Sequence, residues 1–132
     1  MVVSNALAAG WGAVAWTRRD PSTAFWYLLR VAQATVVVEA VLGVALLVSG
    51  REAPDALHLF YGIAPLAVAV FSEAARGAAA QAEVDELEGD VEALERREQV
   101  LLARRIVLRE IGVMTVGTLL ILTLSLRAAG LL

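Results

Sequence analysis

A chain of 132 residues is one domain by length, and a 59% hydrophobic content with a mean hydropathy of +0.70 lies well above the roughly 45–50% apolar usage of soluble domains. With no cysteine, disulfides, thiolate metal sites and thiol catalysis within the chain are excluded, while the redox compartment is left open. The net charge of −3 combines an acidic stretch at 83–98 with arginines near the ends of apolar runs, so nothing offers the basic face that nucleic acid demands.

The first apolar run, 2–17, is uncharged and rich in Ala, Val, Gly and Trp, and the cluster Arg18-Arg19-Asp20-Pro21 stops it. It would span about 25 Å, a little short of a hydrocarbon core of about 30 Å. A secretory signal peptide carries its positive charge before the apolar run; here the charge follows, which predicts a first transmembrane helix with its N-terminus outside. The second span, 25–49, opens after a Ser22 or Thr23 cap, carries the interfacial triplet Phe25-Trp26-Tyr27 and closes at Ser49-Gly50. The link Arg51-Glu52-Ala53-Pro54-Asp55 is so short that the third span, 56–76, must lie antiparallel to the second. A fourth span is expected at 109–128.

Arg18, Arg19, Arg30, Arg76, Arg96, Arg97, Arg104, Arg105 and Arg109 fall on one side of these spans, against Arg51 and Arg127 on the other. The positive-inside bias therefore predicts cytoplasmic first and third connections in the cell's inner membrane, with both termini outside. Between spans three and four, Val84, Leu87, Val91, Leu94, Leu101 and Leu108 recur at mostly helical spacing. They predict a coiled-coil-like cytoplasmic hairpin over 77–108, turning at Gly89-Asp90, with Asp90 capping the second arm. The competing reading is a partly disordered acidic loop. The expected fold is all-α: a four-helix transmembrane bundle with helices 3 and 4 extended into that hairpin.

Three groups of polar residues are candidates for function. Counting depth from the outer connection brings Glu73 level with Arg30, an expected structural ion pair that Arg109 and Glu110 would extend. Glu39 falls near the middle of span two, where a carboxyl needs a donor. Its expected partners are Thr115, Thr118 or Thr123, or a second copy of the chain, and its candidate role is either interhelical glue or proton exchange. His58 and Tyr61 lie one turn apart near the outer surface, with Asn5 expected at the same depth, a candidate cofactor-binding face for haem or a quinone. A lone histidine cannot supply both axial haem ligands, and Met114 lies toward the opposite surface. Pro65 should kink the third helix just below them. Gly10, Gly12, Gly43, Gly62, Gly112 and Gly117 provide thin places for close helix approach. No catalytic constellation or metal-ligand spacing is present.

The phrases Asn5-Ala-Leu-Ala-Ala-Gly-Trp11, Phe25-Trp-Tyr-Leu-Leu-Arg30-Val-Ala-Gln33, Leu57-His-Leu-Phe-Tyr61-Gly62-Ile-Ala-Pro65-Leu and Arg109-Glu110-Ile-Gly112-Val-Met114 resemble a group of small four-span bacterial membrane proteins with no assigned activity. That likeness covers nearly the whole chain and implies the architecture alone. Gln33 followed by a His-led helix also resembles half of a haem A synthase, although the second histidine of such a bundle is missing. Small multidrug exporters share four spans and one membrane Glu, but theirs is on the first helix and they lack a long cytoplasmic hairpin. The expectation that follows is a non-enzymatic accessory or assembly protein of the lipid bilayer, acting as a homodimer or with a membrane-protein partner. The alternatives are a redox subunit centred on His58 and Tyr61, or a proton-coupled transporter using Glu39.

Overall fold

The structure, a computed structural model, describes residues 1–52, 56–87 and 89–132. The expected break at Pro54 and Asp55 lies outside the described residues. Among those described there are four α-helices and no strand: α1 (Val2–Thr17), α2 (Thr23–Val48), α3 (Ala56–Asp85) and α4 (Arg96–Ala128). Three of them, α2, α3 and α4, are long and apolar enough to cross a membrane, with mean hydropathies of 2.2, 1.5 and 1.8 over their most apolar stretches. That is the profile of a membrane protein. The fourth, α1, has only 16 residues.

The turn between α1 and α2 is closed by local bonds. Arg19 takes a left-handed backbone (φ 52°), and the Asp20 amide donates to the Ala15 carbonyl at 2.9 Å, which ends α1. Ser22 then accepts from the Phe25 amide at 3.4 Å as the cap of α2, and from Trp11 Nε1 at 2.9 Å. One hydroxyl thus starts α2 and fastens it to α1.

Helix α4 is the axis of the fold, with α1 on one flank and α3 on another. Its core contacts join Ala15 of α1 and Phe25 and Leu29 of α2 to Ile111 and Met114, with Trp26 and Val107 packed against them. Close approach depends on three glycines. A Cβ on Gly12 would fall on Thr115 and the Phe25 ring; one on Gly112 would sit 2.9 Å from the Trp16 ring; one on Gly117 would fall on Ser72. Gly10, Gly43 and Gly62, equally eligible in sequence, face open space. These glycines therefore let α4 approach α1 and α3 closely, and Gly12 also receives the Phe25 ring of α2.

Beyond Arg76, α3 and α4 continue side by side, as Glu83 pairs with Arg109 at 2.6 Å and, more loosely, with Arg105 at 4.0 Å. The connection between them passes through Gly89, whose φ of 129° favours a residue without a Cβ, and a short 3-10 turn at Val91–Ala93. Two details of the expected hairpin need correction. Asp90 does not cap the second arm: Glu95 does, in a capping box with Glu98. Leu101 points outward at 53% exposure and Leu102 is buried instead. Because α4 begins at Arg96, after irregular backbone, a 3-4 spacing counted through the turn does not carry into it.

Candidate functional site

Arg30, Glu73, Arg76 and Glu110 meet where α2, α3 and α4 come together, and Glu73 is at the centre. Its Oε1 accepts from Arg30 at 2.8 Å and from Gln33 at 2.6 Å, both on α2, while its Oε2 accepts from Arg76 Nε at 2.8 Å, one helical turn along α3. Arg76 reaches on to Glu110 of α4 at 3.0 Å and lies 5.7 Å from the centroid of the Trp26 ring on α2. Arg30 also donates to Gln33 Oε1 at 2.6 Å. Two guanidinium groups and two carboxylates balance, and Glu73 has donors on both oxygens. Such an arrangement holds helices together better than it moves protons, since neither Glu73 oxygen is left without a donor.

Of the residues expected to meet, Arg30 and Glu73 do so, and Glu110 joins through Arg76. Arg109 does not enter this cluster; it turns to Glu83, because Glu110 and Arg109 are adjacent on a helix and face different sides. Gln33, Arg76 and Trp26 were not singled out as members of the site. A signal existed, since Gln33 follows Arg30 by three residues and Arg76 follows Glu73 by three, the spacing that brings helical side chains onto one face.

Glu39 has a different partner from those expected. Its Oε1 lies 2.7 Å from the Met1 amino group, and the neighbouring pair Ser4 and Thr35 share a hydrogen bond of 2.8 Å. Thr118 and Thr123 give their hydroxyl protons to carbonyls of their own helix, at Thr115 and Leu119, and Thr115 packs against Gly12. Thr118 and Thr123 are thus engaged elsewhere, and Thr115 faces α1 rather than Glu39. A groove of about 340 Å³, lined by Met1, Val31, Ala34, Thr35 and Val38, opens beside Glu39.

The grouping of Asn5 with His58 and Tyr61 also needs correction. Asn5 is buried in the core, beside Gln33, Ala69, Ser72 and Thr118, whereas His58 is exposed near the other end of α3. Tyr61 is half-buried and makes an edge-to-face contact with Phe60 at 5.5 Å. Asn5 therefore does not share a face with His58 and Tyr61. Pro65 lies inside α3 and is buried. With the geometry in view, the class defined is an all-helical membrane protein. No family model, curated protein or solved structure matches the chain.

Proposed function

We propose that this chain is a non-enzymatic accessory or assembly subunit of the cytoplasmic membrane. In this reading it is a four-helix bundle whose arginine-rich α1–α2 and α3–α4 connections face the cytoplasm, with Arg51 and Arg127 outside. The observation that carries the reading is Glu39 at the foot of an unpartnered half-helix. Every residue at 37–48 except Ala40 is exposed, so the outer half of α2 leans on little of its own chain. Lipid covers valine and leucine about as well as a neighbouring helix does, so apolar exposure alone is neutral. The Glu39 side chain is not neutral: even paired with the Met1 amino group it is 49% exposed well before the helix ends, and a charged pair turned toward hydrocarbon is costly. A partner helix laid along this face removes that cost. The extension of α3 and α4 beyond Arg76 supplies a second docking surface, a cytoplasmic hairpin on which Val100 and Leu101 are exposed.

The cysteine-free chain makes the test direct. Single cysteines at Leu42 and Leu46, on the Glu39 face, should form disulfide or crosslinker adducts in native membranes, while cysteines at Val41 and Val44, on the opposite face, should not. Deletion of residues 83–98 should weaken those adducts. No adduct at any position would mean that lipid alone covers α2, and the assembly reading would fail.

The groove beside Glu39 favours a second reading, proton-coupled transport by a dimer of this chain, because it gives the carboxyl a route to a small ligand. Replacing Glu39 with Gln keeps the shape and removes the exchangeable charge. A pH-dependent transport or binding activity should then disappear, and an unaltered activity sinks this reading.

A further inference from the structure

We infer that the centre of the bundle is a binding site for one water molecule, held by Asn5 and shared among all four helices. A cavity of about 10 Å³ lies between them, lined by the polar side chains Asn5, Gln33, Ser72 and Thr118 and by Leu29, Met114 and Ile121. That volume is about the least that admits a water, and a buried water needs two to four polar partners, for which Asn5, Gln33, Ser72 and Thr118 are the candidates around this cavity. Asn5 is the decisive residue. It is 1% exposed, and its Oδ1 has no hydrogen-bond partner. The orientation of the amide follows from its other end: Nδ2 donates to the Met1 carbonyl at 3.0 Å, a contact that an oxygen could not make, so Oδ1 must be the atom aimed away. A buried amide oxygen without a donor costs roughly 1–3 kcal/mol. Water in the cavity removes that cost by donating to Oδ1, and it has Ser72, Thr118 and Gln33 as further partners. The other buried oxygen without a partner among the described residues, Thr115 Oγ1, packs on the bare Cα of Gly12 and does not line the cavity.

The site has a structural consequence beyond filling a hole. Gln33 both lines the cavity and donates to Glu73, so the water continues the charged cluster inward as a line of hydrogen bonds: Glu73, Gln33, water, Asn5. It also joins α1 to α3 and α4 by polar contacts.

Met114 makes the site testable, because it lines the cavity at 2% exposure and the only other methionine, Met1, is more accessible and serves as an internal control. A synchrotron pulse on the detergent-purified full chain turns bound water into hydroxyl radicals in place, whereas peroxide added to the bulk does not reach a buried side chain. Met114 should be oxidised by the pulse and spared by peroxide, and Asn5→Leu, which keeps the branched outline of the side chain but withdraws the polar anchor and crowds the cavity, should lose the pulse labelling at Met114 while Met1 stays labelled. Absence of pulse labelling at Met114 in the native chain overturns the proposal, as does equal labelling in Asn5→Leu. If that variant does not fold, a high-resolution crystal structure of the native chain decides: a density peak within hydrogen-bond distance of Asn5 Oδ1 supports the site, and its absence refutes it.

Discussion

Replacing Gly117 with alanine should loosen the α3–α4 pair by about 1–3 kcal/mol, the usual cost of forcing extra volume into a packed interior. The added methyl group would land on Ser72, meeting not only its hydroxyl but its Cβ at 2.8 Å, and a Cβ cannot swing aside as the end of a long side chain can. Backbone separation must increase, and the neighbouring contacts of Met114 and Thr118 would loosen with it. The same substitution at Gly43 or Gly62 meets nothing within 4 Å. There, alanine should leave unfolding unchanged or raise stability by about 0.5–1 kcal/mol through its better helix propensity. Detergent unfolding followed by circular dichroism would measure all three. A pairing test is sharper still: Ser72→Gly in the Gly117→Ala background removes the obstacle, so the double variant should be more stable than the sum of the single losses predicts. Equal effects at Gly117 and Gly43 would show that the α3–α4 approach does not depend on glycine.

These glycines also show what the sequence could and could not reveal. Helix positions were legible, because uninterrupted apolar runs of membrane length leave little choice of secondary structure. Six glycines qualified equally as close-approach points, yet rotation about each helix axis decides which face a neighbour, and α1 and α2 have nearly uniform apolar surfaces that carry almost no rotational signal. The approach of Arg30 to Glu73 was legible because the link between α2 and α3 is short enough to fix their relative depth. Asn5 is not legible in the same way, and the reason is geometric. Depth counted from the α2–α3 link misplaces it, because α1 and α2 share a turn at the opposite end and α1 is much the shorter helix, with 16 residues against 26. Counted from that shared turn, Asn5 falls near Thr35, and the bond from Ser4 to Thr35 places it there. The cavity beside it depends on side chains from four helices and left no trace in any single stretch.

The largest loss should follow from Arg76→Leu. Arg76 is the one residue of the charged cluster that binds both carboxylates, Glu73 at 2.8 Å and Glu110 at 3.0 Å, and it also lies against Trp26. Removing it takes from Glu110 the arginine it pairs with and leaves Glu73 with Gln33 and with Arg30, which is 57% exposed and free to follow water. Breaking a buried pair on one side costs about 3–5 kcal/mol, against about 0–1 for an exposed pair; a partly buried position such as Arg76 should fall near 3 kcal/mol. Arg30→Gln should cost no more than about 1 kcal/mol, because its partner keeps Gln33 and Arg76. The order matters more than the values. If Glu73 is held chiefly by the exposed end of the cluster, Arg30→Gln would be the worse substitution, and the assignment of Arg76 as the hub would be wrong. The double variant Arg76→Leu with Glu110→Leu removes one charge of each sign, so it should recover part of the loss. It should also restore attachment of α2, whose hydrogen bonds from Arg30 and Gln33 to α3 converge on Glu73. Proteolysis in detergent would report this attachment, with cleavage in the α1–α2 turn rising in Arg76→Leu and falling back in the double variant.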